Sequence, residues 1–89
     1  MHAVVVAVNI NDFDQSTTFL REQIVPQVKQ APGIRAGYWV ALDGQDRGRT
    51  IIAFESEEAA RNAAKRIEGS ADDGVSIESV EVGEVVGHI

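Results

Sequence analysis

Residues 3 to 10, Ala3-Val4-Val5-Val6-Ala7-Val8-Asn9-Ile10, contain one polar side chain, Asn9. A β-branched run this continuous reads as a strand buried on both faces. Asn11-Asp12-Phe13-Asp14 breaks it and offers several helix N-caps: Asp12 with Gln15, Asp14, or Ser16. Leu20, Ile24 and Val28 then recur at helical spacing, with Phe13 and Phe19 expected to pack near the start. Pro26 falls inside this pattern. It lacks a backbone donor and crowds the preceding turn, so a kink or break is expected there. Ala31-Pro32-Gly33 closes the segment.

The next stretch changes period. Ile34, Ala36, Tyr38, Val40 and Leu42 alternate with Arg35, Gly37, Trp39 and Ala41; Thr50, Ile52 and Phe54 alternate with Arg49, Ile51 and Ala53. These are two strands. The polar Asp43-Gly44-Gln45-Asp46-Arg47-Gly48 between them marks a hairpin, its two glycines expected to take positive φ. Ser56 follows as an N-cap, with Glu57 and Glu58 at the positive end of a helix dipole. Ala59, Ala60, Ala63, Ala64 and Ile67 form one apolar stripe, narrow enough to let the helix lie close to a sheet. Lys65 and Arg66 suit the helix end, Gly69 its C′ position, and residues 70–74 a loop. Val75 to Val86 sets Val80 and Val82 against Glu78 and Glu84 as a last strand, with Gly83 a candidate bulge.

Strand, helix, strand, strand, helix, strand is the ferredoxin-like order, an α+β domain with a four-stranded antiparallel sheet. Both helices of that βαββαβ architecture cover one sheet face. The other should be polar in a monomer, yet the first three strands are apolar in both alternations. A bare apolar face of that size is rarely tolerated, and pairing two copies across a two-fold axis covers it. A homodimer through the open sheet face is expected.

At 89 residues the chain makes a single domain, residues 1–89, with little surplus stability unless it self-associates. It has no cysteine, which excludes disulfides, thiolate catalysis and thiolate metal sites. A net charge of −6 with scattered basic residues argues against nucleic acid as a partner. The opening MHAVVVAVNI has no basic n-region and no run is long enough to span a bilayer, so a cytoplasmic protein with no membrane partner is expected.

In its Val-rich first strand ending at Asn9, Glu22-Gln23-Ile24-Val25-Pro26 leading to Ala31-Pro32-Gly33-Ile34, Gly37-Tyr38-Trp39, and Phe54-Glu55-Ser56-Glu57-Glu58-Ala59-Ala60, the chain resembles the dimeric α/β-barrel superfamily. Within it, the antibiotic-biosynthesis-monooxygenase-like (ABM-like) small proteins are the group it is similar to, over essentially its whole length. Members include cofactor-independent oxygenases of polyketide quinones, haem-degrading enzymes and isomerases. The resemblance implies a dimeric α/β barrel with a cleft between sheet and helices in each protomer. It also implies that Asn9 and Trp39 line a pocket and hold a phenolic substrate and its oxygenated intermediate; the bland alternative is a strand-end cap and a core or interface tryptophan. Tyr38 and Arg35 would add a phenolic donor and a cation for an acidic or quinone-like ligand, although alternation puts Arg35 with Trp39 and Tyr38 opposite. A haem-degrading relative would need an axial histidine on the second helix, and Glu57 to Glu68 has none.

The only histidines, His2 and His88, lie near the termini and lack a third ligand, so no metal site is expected. Asp43, Asp46, Asp72 and Asp73 lack calcium-loop spacing and read as solvated. No cofactor is expected. The function expected first is binding of a small molecule, an aromatic one being the candidate ligand, with the barrel mainly an assembly device. The alternative is a cofactor-independent monooxygenase of an aromatic quinol-like substrate, against which stands the lack of an internal base.

Overall fold

The computed structural model describes residues 1–68 and 75–89, so the expected Gly69 cap and the 70–74 loop with Asp72 and Asp73 lie outside the described residues. Its strands are β1 (His2–Ile10), β2 (Ile34–Ala41), β3 (Arg47–Phe54) and β4 (Val75–Glu84). They form one sheet in the order β2-β3-β1-β4, with every neighbouring pair antiparallel. The most apolar strand, β1, takes an inner position between β3 and β4. This is the ferredoxin-like βαββαβ fold.

Register decides which alternation faces the helices. Val4 pairs with Ile52 and Val82, and Val6 with Thr50 and Val80. Trp39 pairs with Thr50 from the other side. Val4, Val6, Ile52 and Phe54 are buried on this face against Ala60 and Ala64 of α3 (Glu57–Glu68). Full burial of a side chain such as Phe54 stabilises the fold by roughly 1.5–3 kcal/mol. Ser56 caps α3 as expected: the Ala59 N–H donates to Ser56 Oγ at 3.1 Å. The opposite face carries Tyr38, Val40 and Ile51 at 65%, 47% and 42% exposure, so the sheet is open on that side in β2 and β3 of the protomer.

The first helical layer is a continuous run in three pieces. They are α1 (Phe13–Phe19), a π-helical turn (Leu20–Ile24) and α2 (Val25–Val28). Of the candidate caps Asp12 is the one used, its Oδ1 accepting from the Gln15 N–H at 2.9 Å. Pro26 neither breaks nor ends the helix. The Val25 N–H reaches back five residues to the Leu20 carbonyl, and Pro26 enters the first turn of α2. A widened turn gives the proline ring the clearance an α-helix denies it. Phe13 faces the sheet side of this layer, while the half-buried Phe19 borders a depression with Gln15, Thr18 and Glu22.

Three local details depart from the sequence reading. The hairpin strands end at Ala41 and resume at Arg47, and the positive φ values belong to Gly44 (91°) and Gln45 (59°), not to Gly48. Gly48 is buried in β3, where a Cβ would stand 3.0 Å from the Val40 carbonyl oxygen. The β4 irregularity lies at Glu78, between Ile77 and Ser79, while Gly83 pairs regularly with Ala3. A further bulge occurs in β2: Ile34 pairs with Phe54 and Ala36 with Ala53, leaving Arg35 unpaired. The extra residue turns Ile34 onto Trp39's face, where it packs against the core.

Candidate functional site

The two helical layers do not sit equally close to the sheet. The alanine stripe of α3 brings its backbone near β1, β3 and β4, whereas α1, the π turn and α2 make few close backbone approaches to any strand. Larger side chains, Phe13, Leu20, Ile24 and Val28, project from this layer. Between them and the sheet lies a cleft of about 360 Å³. That is within the size range of small-molecule sites.

Val6, Val8 and Ile52 line the cleft from the sheet, and Ile67, Val75 and Ile77 from the α3 and β4 side. Trp39 lines it from β2 and is half-buried. Its polar members are few. Ser16 is buried, and its hydroxyl donates to the Phe13 carbonyl at 3.1 Å. Thr17 and Thr50 bring hydroxyls, and Arg21 of the π turn brings a guanidinium. Arg49 also borders the cleft, although its register belongs to the opposite face; its Nη1 donates to the Gly48 carbonyl at 2.8 Å. Among the described residues, no aspartate, glutamate, histidine or tyrosine lines the space.

The four residues singled out from sequence are therefore not brought together. Trp39 lines the cleft. Asn9 does not: it is exposed, paired with Arg47 and Ser76, in the β1 alternation opposite Val6 and Val8. Tyr38 shares that open face, paired with Ile51. Arg35 is exposed at the β2 bulge. Sequence reasoning passed over Arg21, Thr17 and Thr50. Thr17 and Arg21 are spaced i, i+4 beside the Leu20–Ile24–Val28 stripe, which is the signal that would have found the first two.

A carboxylate with a lowered pKa, Glu57, is remote from the cleft. Glu57, fully exposed on α3, is lowered by a hydrogen bond from Arg61 and by that guanidinium's charge, with His2 adding a smaller effect. Among the described residues, no group of three or more His, Cys, Asp or Glu side chains is placed to hold a metal.

No protein-family model matches the chain, and no curated protein matches its sequence. Solved structures do. A mutant of MhuD with two manganese protoporphyrin IX molecules bound per active site superposes with a TM-score of 0.66 at 16% identity, over 100% of this chain and 98% of that one. A dimeric ferredoxin-like protein from an uncultured marine organism gives a TM-score of 0.60 at 12% identity, again over 100% and 98% of the two chains. The porphyrin of the first does not fit the donors found here, because the cleft lining has no histidine, cysteine, tyrosine or methionine to ligate a metal centre. What these likenesses share with the chain is architecture, the ferredoxin-like fold.

Proposed function

We propose that this protein is a homodimeric small-molecule-binding protein that takes an apolar or aromatic ligand into the cleft between the sheet and the first helical layer. The observation that carries the reading is the cleft of about 360 Å³, walled by aliphatic side chains with the only tryptophan at its side. Burial of apolar ligand surface supplies the affinity, and the indole offers a flat face for stacking. In this reading Trp39 touches the ligand. Asn9 and Tyr38 belong to the open face that the partner subunit covers, and Arg35 has no part in the cleft. The exposure of Tyr38, Val40 and Ile51 on that face supports the homodimer.

The monooxygenase alternative asks Asn9 and Trp39 to hold one intermediate and asks for a base to form the substrate anion. The two residues stand in opposite alternations, and among the described residues the cleft lining has no carboxylate or imidazole, so binding is the favoured reading. No helix among the described residues is long and apolar enough to cross a membrane; a cytoplasmic location is part of the proposal. Titrating Trp39 emission with aromatic quinols, flavin and haem tests it. Saturable quenching by a quinol, retained in Asn9→Ala, is the expected result; oxygen uptake lost in Asn9→Ala would restore the monooxygenase reading.

A further inference from the structure

The polar groups of the cleft have one sign. The chain has 14 Asp and Glu against 8 Lys and Arg, yet among the described residues no carboxylate lines the cleft. Of the two guanidinium groups there, Arg49 is engaged by the Gly48 carbonyl, and Arg21 makes no hydrogen bond or ion pair with any described residue. It is exposed, so its charge remains hydrated without a ligand. Thr17 and Leu20, four and one positions before it, and Ile24, three after it, line the same space. On the sheet side, the Thr50 hydroxyl sits in the row Val6–Thr50–Trp39 across the helix-facing surface. Apolar walls with one unengaged guanidinium and, among the described residues, no competing carboxylate define a chemical preference.

We infer that the cleft selects an amphipathic anion, with a ring-sized apolar body against Trp39 and one carboxylate or sulfonate held by Arg21. The inference rests on the cleft being the binding site. A cation of the same shape would meet Arg21 with like charge and find no counter-charge. A neutral hydrocarbon would bind by burial alone and leave the guanidinium unused. An anion gains a charge-assisted, geometrically matched pair with the fork of Arg21.

A matched pair of dyes isolates the charge. Anilinonaphthalene sulfonate and its neutral parent, phenylnaphthylamine, share one apolar skeleton, and both accept energy from tryptophan. With the full chain at low ionic strength, the sulfonate is expected to bind about tenfold more tightly than the parent, as for a hydrogen bond to a charged group. Arg21→Gln should remove that advantage and leave the parent's affinity unchanged, with the circular dichroism spectrum retained. Lys65→Gln, an exposed cation on α3 outside the cleft, should alter neither. Equal binding of both dyes, or a sulfonate preference that survives Arg21→Gln, overturns the anion inference and leaves the cleft reading standing. An equal loss in Lys65→Gln also overturns it, because the preference then comes from surface ion pairing. Failure of both dyes to receive energy from Trp39 overturns the cleft reading itself.

Discussion

A Cβ built on Gly37 would stand 3.1 Å from Trp39 Cη2 and 3.2 Å from Cζ3, so the indole lies back along its own strand over the one neighbour that has no side chain. The two residues share the helix-facing side of β2, and Gly37 pairs with the buried Ile52. Gly37 thus sets where the cleft's tryptophan rests. In Gly37→Ala the indole must move by a few tenths of an ångström. Tryptophan emission and ligand affinity are expected to change together, affinity falling several-fold. Unfolding free energy should change by less than about 1 kcal/mol, since the stiffer unfolded chain offsets the crowding. Urea unfolding beside a ligand titration checks both.

Gly48 presents the opposite case. A Cβ there would meet the Val40 carbonyl oxygen at 3.0 Å, Val8 Cγ2 at 3.1 Å and Ile10 Cδ1 at 3.3 Å. Backbone in the middle of a sheet cannot swing aside as a side-chain tip can. Gly48→Ala is expected to lower stability by about 1–3 kcal/mol, measured as a lower urea midpoint at constant slope.

The dimer depends on the open face. Tyr38 and Ile51 are cross-strand partners there and both are exposed in the protomer. Ile51→Lys places a charge at the centre of the face without touching the cleft lining. Light scattering after size exclusion should give twice the protomer mass for the natural chain and the protomer mass for the variant. A dimer of undiminished strength in Ile51→Lys would assign the interface to another surface.

The Glu57–Arg61 pair on α3, at 2.8 Å, is i, i+4 and exposed. Because Arg61 holds the Glu57 pKa below the ordinary glutamate value, the folded state binds this proton less readily than the unfolded chain. Its stabilising effect is therefore present above the unfolded pKa and is lost as pH falls through the folded one. The carboxyl carbon shift of Glu57, followed by NMR, should titrate below the ordinary glutamate value. Arg61→Gln should move it upward, and salt should do so in part.

Much of this fold is legible in the sequence because local signals agree with it. Ser56 caps the helix it precedes, the alanine stripe marks the side of α3 that meets the sheet, and the alternations of the hairpin strands separate Trp39 from Tyr38 as they should. Asn9 was harder to place. Both alternations of β1 are apolar, so nothing local says which one faces the helices; the pairing of Val6 with Thr50 and of Thr50 with Trp39 decides it, and puts Asn9 on the other side. The Arg35 bulge is hidden for a similar reason, since an apolar Ile34 fits either parity. The π turn is a steric answer to Pro26, invisible to apolar spacing. It carries Arg21, the residue that gives the cleft its charge.

The most direct test of the cleft follows methyl resonances of the labelled dimer during titration with phenylnaphthylamine. The two apolar surfaces carry distinct reporters: Val8, Ile24, Val28 and Ile52 line the cleft, whereas Val5 and Ile51 lie in the opposite alternation. Saturating shifts at the cleft methyls, with Val5 and Ile51 unmoved, are the predicted result. Shifts centred on Val5 and Ile51, or none at the cleft methyls while the dye binds, would place the ligand on the open face and contradict the account.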